Sequence, residues 1–254
     1  MSQQLWMVFI YGAISALATG LGALPFAFIR QITPKVRGIS NAIAAGLMAG
    51  ASFGLLNEAA QRSREKMLLG FVIGILFIGL MDWIIDKIKR RKFYVGNDLI
   101  SRLPGSIHSD FKNAALIILI MTAHSAAEGI GIGTSFGGPA KFGILMTVAI
   151  AIHNIPEGLA ISAVMVGKGS RWWQAALWSI FTSLPQPLLA VPSYLFISVF
   201  IHYLPVGLGL AAGAMIWLVF SEIAPESAEL IGGERAATLI SFSTVIMLAI
   251  QYLF

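Results

Sequence analysis

Eight apolar runs, each about as long as a bilayer is thick, occupy most of this chain and leave it few ways to fold. A helix needs about 20 mostly apolar residues to cross the hydrocarbon. The runs extend from Leu5 to Ile29, Ser40 to Glu58, Leu68 to Ile88, Asn113 to Phe136, Ala140 to Val166, Trp172 to Phe200, Leu204 to Pro225 and Ala236 to Leu253. The pattern predicts an all-α, polytopic membrane protein with eight transmembrane helices. Residues 1–254 form one transmembrane domain, and little chain is left for anything soluble.

Composition supports this reading. Only 11% of the residues are charged and 57% are hydrophobic, with a mean hydropathy of +0.82. A soluble domain carries about 25% charged residues. There is no Cys, which removes disulfides, thiolate metal sites and a Cys nucleophile. The first run follows Met-Ser-Gln-Gln, has no preceding Lys or Arg and is longer than a signal-peptide core, so it is expected to be a spanning helix.

The net charge of +5 could point to nucleic acid, but the basic residues sit in short segments between apolar runs. Topology accounts for them better. With the N-terminus outside, all but four of the 17 Lys and Arg fall on the cytoplasmic side; the exceptions are Arg62, Arg64, Lys66 and Lys141. Eight spans then put both termini outside. The basic segment 89–112 is expected to be a solvated cytoplasmic loop, with His108 an ordinary loop residue and nucleic acid not a partner. Glycines four apart (Gly46, Gly50 and Gly54; Gly70 and Gly74; Gly129 and Gly133; Gly209 and Gly213) allow helices to approach closely in lipid.

Two of the apolar runs carry the same short signature, 29 residues apart. The fourth contains His124-Ser125-Ala-Ala-Glu128-Gly129, and the fifth His153-Asn154-Ile-Pro156-Glu157-Gly158. A His and a Glu at i and i+4 project from one face of a helix. Ionisable groups at membrane depth are expensive, and they face a bundle interior where they pair or bind something. Two imidazoles and two carboxylates on neighbouring helices make a ligand set for a divalent transition metal. A single His–Glu pair could be purely structural; two in tandem favour a site. Pro156 deprives the Ile152 carbonyl of its donor, so a kink is expected there.

The sixth run is interrupted by Ser183-Leu184-Pro185-Gln186-Pro187, which puts Gln186 in line for the site. In the seventh, Ser221-Glu222-Ile-Ala-Pro225-Glu226 leaves two readings of Glu222 open: an interior ligand, or a carboxylate at a helix end meeting water. Asn57 and Glu58 end the second run, either attracting cations at an entrance or forming a solvated helix end, with the second reading preferred.

These elements, with the pattern from Ala45 to Ala59 in the second run, resemble the ZIP (Zrt/Irt-like) divalent metal transporters over essentially the whole chain. The resemblance implies a ZIP-like bundle of eight helices around a central, often binuclear site. His124, Glu128, His153 and Glu157 correspond to the first metal position. Ser125, Asn154, Gln186 and a shared Glu157 correspond to the second, and Glu222 lies toward the cytoplasmic exit. Ser125 stands where Asn is common, Gln186 where many members have Glu, and Ser221 where many have His.

The resulting expectation is a transporter that moves a divalent metal toward the cytoplasm. Zinc is the first candidate substrate, followed by Fe2+, Mn2+ and Cd2+. The protein would be multi-pass in the plasma (inner) membrane, with the lipid bilayer and the metal as partners and a homodimer as an option. Binding needs neutral His and ionised Glu, so uptake should fall in acid. The rival reading is an intramembrane metal-dependent hydrolase with one open zinc position. No HExxH is present, so the protein is not expected to be an enzyme. A metal sensor or scaffold would bind without flux.

Overall fold

The computed structural model describes residues 2–29, 32–95, 122 and 124–253, and every element among them is helical. In chain order they are α1 (Ser2–Leu21), α2 (Pro34–Arg62), α3 (Arg64–Val95), α4 (124–135), α5 (Ala140–Gly167), α6 (Trp172–Thr182), α7 (Pro185–Val199), α8 (Leu204–Leu218), α9 (Ala224–Ile231) and α10 (Gly233–Leu253). Six segments among the described residues are long and apolar enough to cross a membrane: Gln3–Leu21, Pro34–Arg62, Ala140–Gly167, Trp172–Val199, Ile201–Ile231 and Gly233–Tyr252. They match the first, second, fifth, sixth, seventh and eighth expected spans. The expected fourth span begins at Asn113, and its residues up to 121 lie outside the described residues, as does 96–112 of the expected loop, including His108.

Several boundaries differ from the apolar runs, each for a local reason. The first helix stops at Leu21 instead of Ile29, and a short 3-10 turn, Leu24–Ala27, follows with Pro25 in it. The second helix starts six residues before Ser40, because Thr33 caps it by accepting from Val36 N at 3.2 Å and Pro34 fits its first turn. At its far end, the Arg62–Glu58 ion pair at 3.1 Å carries it past Glu58. α3 runs to Val95, so Lys87 and residues 89–95 are helical and not part of a loop.

The expected sixth span is two helices, not one. α6 ends at Thr182 and α7 begins at Pro185, where prolines without amide hydrogens suit a first turn better than an interior. The seventh, conversely, does not end at Pro225. A π turn, Val219–Ile223, joins α8 to α9, which continues to Ile231 and stops at Gly232 with φ 88°. Single π turns inside α-helices are frequent at functional sites, and Glu222 lies in this one. α5 runs without a break through Pro156.

α2 lies at the centre, packed on α5, α8, α9 and α10, while α1 packs on α5, α6 and α7. The first group meets in a core of Met48, Leu55, Met146, Leu208, Met215 and Met247. In the second, α1, α5 and α7 meet α4 around Val8, Ile132, Ile150, Ala190 and Tyr194. Lipid is as apolar as these side chains, so close approach matters more here than burial from water. The glycine rows provide it. A Cβ on Gly70 or Gly74 would strike the α8 carbonyls of Val206 and Leu210, and one on Gly209 or Gly213 those of Met67 and Phe71 on α3. Gly46 and Gly50 meet α10 in the same way. Trp6, Trp172, Trp173 and Tyr252 are exposed near span ends, as interfacial anchors would be.

Candidate metal centre

His124 and Glu128 lie one turn apart on α4, and His153 and Glu157 one turn apart at the middle of α5. The glycine that follows each Glu brings in a third element. Gly129 lets α4 sit against the backbone of Pro185 and Gln186 at the start of α7, and Gly158 lets α5 sit against the Thr19 carbonyl of α1. Any side chain at either position would push these helices apart. The break in the sixth span therefore arrives beside Glu128, and α1 arrives beside Glu157.

All four expected ligands are buried, and one donor atom from each lies within 4.8 Å of every other. Glu128 Oε1 is the common neighbour, 2.7 Å from His153 Nε2 and 3.2 Å from His124 Nε2. Glu157 Oε2 is 3.7 Å from His124 Nε2. Zinc bonds of about 2.0–2.2 Å put tetrahedral ligand atoms about 3.4 Å apart. The widest separation, 4.8 Å, must therefore shorten by about 1.4 Å around such an ion.

The hydrogen bonding is incomplete in an informative way. His124 Nε2, both carboxylate oxygens of Glu157, Ser125 Oγ, His153 Nδ1 and Asn154 Oδ1 are buried without a hydrogen-bond partner. His124 is near Glu128 but not aligned with it. Buried polar atoms are nearly always paired, because desolvation without compensation is costly. A cation held between His124 and Glu157 would satisfy three of these atoms together. His153 Nε2 and Glu128 Oε1 share a hydrogen bond at 2.7 Å, and ligation through that nitrogen requires it to be free of a proton.

The remaining expected residues divide. Gln186 and Asn154 are fully buried beside Glu128. Gln186 Nε2 donates to Glu128 Oε2 at 2.6 Å, and Asn154 Nδ2 donates to Gln186 Oε1 at 3.2 Å. Ser125 is buried on α4 next to His124. Glu222 is not among the four clustered ligands. It lines a cavity of about 90 Å³ that also touches His124, Glu157, Met48, Asn41 and Glu226.

That cavity includes residues not singled out from the sequence. Glu226 lies one turn beyond Glu222 and accepts from Asn41 Nδ2 at 2.9 Å and pairs with Arg37 at 3.0 Å. The i,i+4 spacing of Glu222 and Glu226 was a usable signal for it. Ser15 on α1 was also missed; it meets Asn154 Nδ2 through its carbonyl at 3.0 Å and its hydroxyl at 3.2 Å. A small polar residue inside an apolar run was the only sign.

Among known proteins, the chain is 41% identical over 250 residues to a putative zinc transporter of Arabidopsis thaliana, covering 97% of this chain and 39% of that protein. The chain thus spans well under half the length of that relative. It is 29% identical over 238 residues to the zinc transporter GufA of Myxococcus xanthus, covering 89% of each chain. It is 30% identical over 235 residues to the zinc transporter ZIPB of Bordetella bronchiseptica, covering 85% of this chain and 71% of that one. No family model matches the chain.

Proposed function

Because the chain belongs to the ZIP (Zrt/Irt-like) family of metal transporters, we propose that it moves a divalent transition metal, zinc first, across a bilayer through the His124–Glu128–His153–Glu157 cluster. One observation carries this reading: four buried donor atoms within 4.8 Å of one another, several of them unpartnered. His nitrogen with carboxylate oxygen suits zinc, with ferrous iron, manganese and cadmium as competitors selected by geometry. The relatives are transporters, which supports flux over the hydrolase alternative.

In this reading the ion leaves the cluster by way of the cavity that reaches Glu222 and Glu226, between α2 and α9. A carboxylate one step beyond the main site gives a departing cation a second, weaker place to rest, and release needs sites that are not too tight. The distribution of basic residues supports a cytoplasmic position for that end and external termini, and with that orientation we propose inward transport. We place the protein in the plasma membrane with eight spans. Its apolar outer faces meet lipid, and a second copy could cover part of them.

The decisive experiment is tracer uptake into sealed proteoliposomes, run in parallel with zinc, iron, manganese and cadmium. Zinc accumulation above protein-free vesicles is expected. Binding without accumulation would turn the reading into a sensor, and cleavage of an intramembrane substrate into a hydrolase.

The two imidazoles offer an internal test. His124→Ala and His153→Ala should each raise the KM for zinc while leaving measurable uptake, because three ligands remain in each. The double variant should lose far more than the sum of the two, since groups sharing one ion are coupled. Strictly additive losses would mean that α4 and α5 do not share a metal.

A further inference from the structure

We infer that Gln186 is a positioning residue, joined to Asn154 in an amide bridge that caps Glu128 and restricts the centre to a single ion. The inference rests on the transport reading above and concerns how many ions its site accepts.

The orientation of both amides is determined from their ends. Asn154 faces the Ser15 carbonyl at 3.0 Å, and a carbonyl can only accept, so the group pointing there is the NH2. The same NH2 meets Gln186 at 3.2 Å, which must therefore present its oxygen. The NH2 of Gln186 is left facing Glu128 Oε2 at 2.6 Å, and a carboxylate again only accepts. Two fixed acceptors, one on α1 and one on α4, thus leave one arrangement for the pair between them.

Two consequences follow. The only metal-binding atom of Gln186, its amide oxygen, is engaged by Asn154 and does not face Glu128. Each Glu128 oxygen already makes one hydrogen bond, Oε1 with His153 and Oε2 with the Gln186 NH2. A second ion sharing Glu128 would have to compete with the Gln186 NH2 at Oε2 and would bring two dications close together in a low-dielectric interior. A charge-assisted hydrogen bond of this kind instead holds the carboxylate in place for one ion. Gln186 thereby links α7, α5 and α1 to a ligand on α4.

The test uses the full chain, with zinc as the probe. Stoichiometry is read by equilibrium dialysis, and KM and maximal rate by proteoliposome uptake, for the unmutated protein, Gln186→Leu and Gln186→Glu. The unmutated protein should bind one zinc. Gln186→Leu should still bind one, with KM raised about 10–100-fold, the usual effect of losing a group that orients a metal ligand. Gln186→Glu, nearly isosteric, puts a second carboxylate against Glu128; it should acquire a second zinc and turn over more slowly.

Two tightly held ions in the unmutated protein, an unchanged KM in Gln186→Leu, or a single ion of unchanged affinity in Gln186→Glu would each overturn the assignment. If Gln186→Leu fails to fold, the isosteric Gln186→Glu decides alone. An unmutated protein that neither binds nor transports zinc would defeat the transport reading itself, which is a different result from all of these.

Discussion

Glu157→Ala should reduce zinc uptake to background while leaving the protein folded. Both outcomes come from the same observation. The two carboxylate oxygens of Glu157 are buried, and neither makes a hydrogen bond. They make no hydrogen bond whose loss would destabilise the helices, and removing a buried carboxylate whose one ion-pair contact is long relieves a desolvation cost. The group is nevertheless 3.7 Å from His124 and lines the cavity that also touches Glu222 and Glu226. Loss of a group that merely orients a ligand costs about 10–100-fold in metal affinity, so loss of the ligand should exceed that. Gln in place of Glu keeps the shape, removes the charge and should be nearly as inactive. The check is size-exclusion behaviour and thermal midpoint in detergent, followed by tracer uptake at matched protein density. Near-normal uptake with a normal melting profile would remove Glu157 from the site.

Gly158→Ala should be the most damaging of the small substitutions, and it should act on assembly of the helices. A Cβ there runs into the Thr19 carbonyl oxygen of α1, and the obstacle is backbone, which no rotamer change can move. Overpacking against adaptable side chains costs about 1–3 kcal/mol, and a rigid neighbour should exceed that range. Moving α1 away would also pull Ser15 from Asn154 and disturb the amide bridge to Glu128. A large fall in thermal midpoint is expected together with loss of uptake. Gly167→Ala is the control: it ends the same helix, and a Cβ there meets nothing within 4 Å. Equal behaviour of the two variants would mean that α1 and α5 are not in close contact.

Local signals were the ones readable in advance. The His–Glu pairs at i and i+4 place two ligands on one face by helix geometry alone, and the structure brings both pairs to one point. Glycine rows announced close contacts, and α3 with α8 has them in both directions. Boundaries were harder. Hydropathy carries no information about Thr33 capping α2, about Pro185 opening a new helix, or about a π turn letting the chain run on through Pro225. Each depends on a few backbone hydrogen bonds, to which an apolar count is blind.

The amino-acid order by itself determined that the chain is a bundle of apolar helices and that two imidazoles and two carboxylates project from two of them, because period and hydropathy are properties of consecutive residues. Only the tertiary structure decided what the neighbouring amides do. Gln186 was legible as a polar residue at a break, in line for the site. Its role turns on which way its amide points, and that depends on Ser15 and Glu128, 171 and 58 positions away in the chain. An amide offers an oxygen at one end and an NH2 at the other, and only the acceptors brought to it by folding choose between them. The placement of Glu222 in the cavity and not in the cluster has the same origin, since it depends on how α8 and α9 pack against α2.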